Sequence, residues 1–462
     1  MNKIKENFYF LKTFGCQMSN LDSKYIQLLL NKMSFETKQI EKADIIVFNT
    51  CSIREASENK LLNLFSYISK MKEYNKDIFV AVLGCFVEKI NYKFIQKHSY
   101  IDCFISPDYL HFLPYAFKRF HLKKKNYQLV YKHFKNNIHK NTIKKNFDFL
   151  EDIFLRNKIR TVKKKPREYI RIMKGCNKFC TYCVVPYTRG LEICRPIERI
   201  ILEIKHAIYF GSQEIVLLGQ SVNHYYYRGV NFYKLLYIIS NIIPKHIRVK
   251  FLTSYPKNII YPLLTLIQQK SCLSKYLHIP AQSGSNTILK KMNRCYTREE
   301  YLDIIDIAYA KNPGISIAGD MIVGFPDEST KDFQCSIALV KYVKYQHLFI
   351  SQYSPRPNTI SYLYYQDNVS KSIKRARHNY MFKIQQNIIS QYNSSFVAQI
   401  LEGFVWKAYN TSVSKKLKEI LLVKTDANKI IFVFDEKKLL GSKVRVRILQ
   451  SSSSKIFGFV VK

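Results

Sequence analysis

Three cysteines crowd into eight residues, Cys176-x-x-x-Cys180-x-x-Cys183, directly after Gly175. Thiolates spaced this closely are metal ligands or reactive thiols. A structural zinc site takes four ligands, usually as two Cys-x-x-Cys pairs, and no matching pair lies elsewhere in the 462 residues. Three thiolates can instead hold three irons of a [4Fe–4S] cluster and leave the fourth open. An open iron can bind a small molecule, so the missing fourth ligand is itself a functional feature.

A second set is spread along the first hundred residues. Cys16, Cys51 and Cys85 are 35 and 34 residues apart, the repeat of a βαβ unit, which needs about 30 residues or more. Each follows a strand-like run: Phe14-Gly15-Cys16, Asn49-Thr50-Cys51 and Leu83-Gly84-Cys85. The carboxyl ends of parallel strands share one edge, where ligands bind. The three thiols are therefore expected to converge and to suit a second cluster with one open iron. Cysteine is often simply buried, and Cys103, which has no such placement, reads as a core residue.

The elements that must position these cysteines alternate between strand and helix. Residues 8–13, 44–49 and 78–83 read as strands, 21–33 and 54–72 as helices, which predicts a parallel βα domain over 1–117. Residues 118–165 carry basic runs, Lys144-Lys145 among them, with neither Gly nor Cys, and read as a solvated linker. Between 166 and 390 six strand candidates (169–173, 214–218, 248–252, 276–279, 315–323 and 347–353) are mostly separated by helical stretches. Six units are too few for a closed eight-stranded barrel and suit a partial (βα)6, TIM-like one. A basic helical pattern over 370–392 leads into the tail, 391–462, where Lys443-Val444-Arg445-Val446-Arg447-Ile448 alternates basic and apolar residues. That tail reads as a small β-barrel with a basic surface. The fold class is α/β: a parallel amino-terminal domain, a central partial barrel and a small carboxy-terminal β-barrel.

Composition sets the wider limits. Hydrophobic residues make up 47% and charged residues 23%, which is globular rather than disordered or fibrous. No apolar run reaches the ~18 residues of a spanning helix, and the first eleven residues lack a signal-peptide core. A cytoplasmic, membrane-free chain is expected, and there structural disulfides are rare. The net charge of +40, from 74 Lys and Arg against 34 Asp and Glu, fits a polyanion binder. Scarce Gly alongside abundant Lys, Asn, Ile, Tyr and Phe also marks the codon bias of an AT-rich genome. The charge thus agrees with RNA binding without establishing it.

The residues around the cysteines resemble the methylthiotransferases, radical S-adenosylmethionine (SAM) enzymes with a second cluster. The likeness rests on Thr13-Phe14-Gly15-Cys16-Gln17-Met18 with Asp22-Ser23, on Asn49-Thr50-Cys51-Ser52-Ile53-Arg54-Glu55, and on Val184, Pro186, Tyr187, Arg189, Gly190 and Glu192 after the cysteine loop. Gly219-Gln220, His278-Ile279-Pro280, Gln282-Ser283-Gly284-Ser285, Tyr296-Thr297-Arg298-Glu299-Glu300-Tyr301, Asp320, Gly324-Phe325-Pro326 and Tyr353-Ser354-Pro355-Arg356-Pro357 extend it over nearly the whole chain. The tail resembles the RNA-binding TRAM barrel of that family. Gln17-Met18 matches the tRNA branch, whereas the branch acting on an aspartate of a ribosomal protein usually has Pro-Lys there. Ser19, Cys194, Ser221, Tyr255, Gly319 and Asn358 depart from the family pattern, and none of them is a cluster ligand.

The resemblance implies two [4Fe–4S] clusters, SAM as cofactor, and transfer of a methylthio group to C2 of N6-isopentenyladenosine beside the anticodon of tRNA. In the family, a 5′-deoxyadenosyl radical released from SAM removes the inert C2 hydrogen. An external electron donor and a sulfur source are implied, and a monomer is expected. No catalytic acid or base is expected beyond the cluster ligands. Tyr182, Gln220, Ser254, Gln282 and Ser283, in the cysteine loop or after successive strands, are candidate SAM contacts. Lys443, Arg445 and Arg447 are candidate RNA contacts. Rival readings are the ribosomal-protein enzyme and a non-catalytic RNA-binding protein.

Overall fold

The computed structural model describes residues 7–51, 55–123, 128–132, 166–259, 261–411, 418–435 and 439–461. These fall into two compact units. One holds the described residues up to 132 with 174–177 and 184–193; the other holds 166–173, 178–183 and the described residues from 194 on.

The first unit is built on six parallel strands: β1 Phe8–Phe14, β2 Phe35–Glu36, β3 Ile45–Thr50, β4 Phe79–Gly84, β5 Cys103–Ile105 and β6 Leu129–Tyr131. Their order is β2-β1-β3-β4-β5-β6, with Leu11 opposite Val47 and Val47 opposite Ala81. β3 and β4 are buried along their whole length because both faces are covered. Ile45, Val47, Phe79, Ala81 and Leu83 pack with Ile26, Leu30 and Leu113 on one side. Ile46, Phe48, Val80 and Val82 pack with Leu61 and Phe65 on the other. Two-sided burial is why these segments read as continuous apolar runs rather than alternating ones. Cys103 is fully buried in the first of these clusters, as its sequence placement suggested.

Two details go beyond the sequence reading. The stretch expected to be a linker begins with the end of the helix Leu113–Lys123 and supplies the edge strand β6; the rest of it, 124–127 and 133–165, lies outside the described residues. The strand order also reverses at β1, with β2 on one side and β3 on the other. Such a switch point leaves a ligand crevice at the carboxyl ends of the two diverging strands, here β1 and β3.

In the second unit the six expected strands are present: β7 Arg167–Arg171, β8 Glu214–Leu218, β9 Arg248–Phe251, β10 Tyr276–His278, β11 Ser316–Val323 and β12 His347–Gln352. They form two parallel three-stranded sheets, β9-β8-β7 and β10-β11-β12. Backbone bonds bridge the seam between the sheets, from Val249 N–H to Cys272 O at 2.7 Å and from Ser254 N–H to His278 O at 2.9 Å. One large apolar core, including Ile170, Leu217, Phe251, Leu277, Ile317 and Val340, fills this unit.

The tail closes into a five-stranded barrel of β13 Ile400–Thr411, β14 Lys418–Thr425, β15 Ile430–Asp435, β16 Lys443–Ser451 and β17 Ile456–Val461. The turn between β14 and β15 meets the amino ends of β7, β8 and β9. There Glu214 pairs with Arg167 and with Lys424, and Lys250 Nζ donates to Asn428 Oδ1 at 2.6 Å. Burial pulls Lys424 down to about 8 and Lys429 to about 7. No helix among the described residues is long and apolar enough to cross a membrane.

Candidate metal centres

The first unit brings Cys16, Cys51 and Cys85 together at the switch point. Cys16 follows β1 and forms the N-cap of the helix Gln17–Leu30. Cys51 follows β3, and Cys85 opens the short turn Cys85–Glu88 after β4. Gly84 makes that turn at φ 99°, where a side chain would run into the Thr50 carbonyl; only glycine fits. Asn49 ties the crevice, donating to Ser19 O and Ser23 Oγ at 2.8 Å each.

The electrostatics suit anionic sulfur. A hydrogen bond from Cys51 and the charge of Arg189 bring the Cys16 thiol down to about 5 against the cost of burial. Burial raises Cys85, with Asp22 and Cys16 adding to the rise and Arg189 opposing it. Arg189 is buried with its Nε donating to Cys85 Sγ at 3.1 Å and its Nη2 to Asp22 Oδ2 at 2.8 Å. No three Cys, His, Asp or Glu side chains among the described residues are gathered closely enough to hold one metal ion. A four-iron cluster asks each thiolate for a different iron, so three soft thiol donors beside a buried cation fit a cluster better than a zinc ion.

The residues of the cysteine loop are held by backbone and side-chain bonds. Cys176 N–H donates to Gly190 O at 3.1 Å, in the first unit. In the second unit, Cys183 N–H donates to Cys180 O at 2.9 Å and Thr181 Oγ1 to Lys291 O at 2.9 Å. A buried guanidinium meets a cysteine here too: Arg294 Nη1 lies 3.4 Å from Cys180 Sγ. Its Nε donates to Tyr296 Oη and its Nη2 to Pro280 O, at 2.8 and 2.9 Å. The rings of Tyr255 and Tyr296 flank it at 4.7 and 5.0 Å.

The expected SAM contacts separate into two kinds. Gln220 and Ser254, past the carboxyl ends of β8 and β9, have buried Oε1 and Oγ atoms with no hydrogen-bond partner among the described residues. Buried polar atoms without partners are rare, and a polar ligand group would satisfy these two. Ser283 is already committed: its Oγ accepts from Ser285 N–H at 3.2 Å and meets Ser336 Oγ at 3.4 Å. Gln282 uses its backbone at φ 73°, donating to Asp320 O and accepting from Ile322 N–H. Tyr182 packs against the cluster of Ile288, Met292, Phe325 and Tyr353, and burial raises its hydroxyl.

Known proteins agree with this architecture. Residues 8–106 match a family described as Uncharacterized protein family UPF0004, and residues 170–340 match the Radical SAM superfamily. The tRNA-2-methylthio-N(6)-dimethylallyladenosine synthase of Thermosipho melanesiensis is 35% identical, over 98% of this chain and 98% of its own. Its namesake in Bacteroides fragilis is 34% identical, over 97% and 94%. The chain belongs to the tRNA methylthiotransferase family of radical SAM enzymes. Like other radical SAM enzymes it uses SAM and a [4Fe–4S] cluster. The solved structure of the radical SAM methyltransferase TsrM from Kitasatospora setae, with cobalamin and a [4Fe–4S] cluster, aligns at a TM-score of 0.53 and 10% identity, covering 77% of each chain, a likeness of fold alone.

Within this methylthiotransferase some motifs are architecture. Thr297 and Glu300 form a reciprocal capping box on the helix Arg298–Lys311, and Tyr301 Oη donates to Ile279 O at 2.9 Å. Among the departures from the family pattern, Gly319 makes room for the Tyr345 ring. Asn358 takes φ 68°, a conformation Asn tolerates better than most residues. Lys443, Arg445 and Arg447 are exposed on β16, while Val444, Val446 and Ile448 fill the barrel; Lys443 Nζ pairs with Glu402 at 2.8 Å. Two functional candidates carried no signal of their own. Arg189 stood in a motif without a role, and Arg294 adjoins the Tyr296 motif without belonging to it. A lone arginine looks the same in sequence whether it faces water or a buried thiol.

Proposed function

We propose that this enzyme places a methylthio group on C2 of N6-isopentenyladenosine beside the anticodon of tRNA, using two [4Fe–4S] clusters. Cys176, Cys180 and Cys183 hold the cluster whose open iron takes SAM, and Cys16, Cys51 and Cys85 hold the second. The observation that carries the reading is the placement of Cys16, Cys51 and Cys85 at three neighbouring strand ends beside the buried Arg189. Full-length likeness to synthases named for this product supports the substrate.

When bound, the cluster at the cysteine loop supplies an electron to SAM, opening radical chemistry on a C–H bond too inert for acid–base catalysis. The chain's own residues orient and shield. Gln220 Oε1 and Ser254 Oγ accept from polar groups of SAM, Tyr182 with Phe325 walls an apolar side, and Gln282 and Ser283 shape the turn nearby. Lys443, Arg445 and Arg447 hold tRNA phosphates, so alanine at all three positions weakens tRNA binding and flattens its salt dependence; an unchanged salt slope in a filter-binding titration removes them. The auxiliary site belongs to the amino-terminal domain that includes edge strand β6, SAM binding to 166–390 and RNA binding to the barrel over 391–462. The enzyme works as a cytoplasmic monomer with an external electron donor and sulfur source.

Nucleoside mass spectrometry tests the reading. The chain is expressed in a bacterium lacking its own methylthio-adenosine synthase, and bulk tRNA is digested. The 2-methylthio form of isopentenyladenosine is the expected product. Unmodified isopentenyladenosine, with the protein cluster-loaded, turns the assignment to the ribosomal-protein substrate or to non-catalytic RNA binding.

A further inference from the structure

The geometry points to Arg189 and Asp22 as a charge pair that sets the reduction potential of the auxiliary cluster; the inference rests on the two-cluster reading above. Arg189 is the last residue of the helix Val185–Arg189 and is 4% exposed. Its Nε reaches Cys85 Sγ at 3.1 Å, and its Nη2 is fixed by Asp22 Oδ2 at 2.8 Å. Asp22 is 2% exposed and lies in the helix that Cys16 caps. The pair thus meets the switch-point site at Cys85, with its carboxylate on the helix that Cys16 caps.

Cluster potentials follow net charge, hydrogen bonds to sulfur and solvent exposure. Arg189 supplies a full positive charge and an N–H donor to a ligand sulfur. Both favour the reduced, more negative state. Asp22 supplies the opposing charge one guanidinium away and holds the fork in place. Arg189 lies only six residues beyond Cys183 in the chain, so the segment leaving the SAM-cluster motif delivers the charge partner of the auxiliary thiols. Arg189 is a positioning residue, acting through Cys85 rather than on substrate.

The two members of the pair should move the potential in opposite directions, which a purely structural role would not do. The full chain carrying Cys176→Ala, Cys180→Ala and Cys183→Ala is reconstituted with iron and sulfide, leaving only the auxiliary cluster. Its midpoint is read by a redox titration followed by electron paramagnetic resonance. Arg189→Gln in that background should lower the midpoint by about a tenfold change in the oxidised-to-reduced ratio, or about 59 mV for one electron. Asp22→Asn, which keeps the cation and the N–H donor, should raise it. Arg189→Lys, which keeps only the charge, should fall between Arg189→Gln and the parent. A loaded cluster whose midpoint is the same in Arg189→Gln and Asp22→Asn, or shifts the same way in both, overturns the inference alone. A parent triple variant that takes up no iron overturns the two-cluster reading with it.

Discussion

The two cysteine sites each contain a buried arginine directed at one sulfur, yet they are built in opposite ways. Cys16, Cys51 and Cys85 come from three strand ends, and their arginine is tied to a carboxylate: Arg189 pairs with Asp22. Cys176, Cys180 and Cys183 come from one loop, and the arginine at Cys180 is held by tyrosines and a carbonyl. Among the described residues Arg294 has no carboxylate partner. The difference concerns how much of the charge balance belongs to the protein alone. A buried ion pair is largely neutral by itself, so the auxiliary site is compensated by its own residues. Arg294, among the described residues, meets phenols, a carbonyl and a thiol, so its site brings no carboxylate to balance the cation.

The largest effects separate the two sites. Cys176→Ala should abolish SAM cleavage, read as 5′-deoxyadenosine formation, and halve iron from about eight to about four per chain. Cys51→Ala should also halve iron but leave cleavage measurable. Loss of all iron in either variant breaks the view that the sites assemble independently.

The arginines come next. In cluster-free protein, Arg189→Leu takes the cation away from a buried carboxylate and should cost about 3–5 kcal/mol. Arg294→Leu strands no carboxylate and should cost clearly less. Urea unfolding curves compare them, and equal losses would mean that Asp22 does not set the contrast.

The smallest effect tests a buried cation outside both sites. Lys429, facing Asn393 Oδ1 at 3.2 Å and the Tyr392 ring at 4.2 Å, is brought to about 7 by burial. An unfolded lysine keeps its proton up to about 10.4. Between those values the unfolded chain holds a proton that the folded chain lacks, so stability rises with pH. Lys429→Met should flatten that rise in thermal midpoints measured from pH 7 to 9; an unchanged slope assigns it to other groups.

Much of this molecule was legible from local pattern. The runs at 44–49 and 78–83 became β3 and β4 because two-sided burial demands uninterrupted apolar residues. The 35- and 34-residue spacing of the auxiliary cysteines put each at a strand end because a parallel βα repeat returns the chain to the same edge. The alternation from Lys443 to Ile448 divided between barrel core and surface. Edge strand β6 was missed because three residues in a basic stretch offer no periodicity to read.

What sequence alone determined was the spacing of the cysteines and the strands that precede Cys16, Cys51 and Cys85, since both follow from residue type and repeat length. Only the tertiary structure decided the electrostatic partners. Arg189 is 167 residues from Asp22 and 104 from Cys85, and Arg294 is 114 from Cys180. Separations that long leave no periodic trace, because a guanidinium becomes a buried counter-charge only when folding removes the water around it.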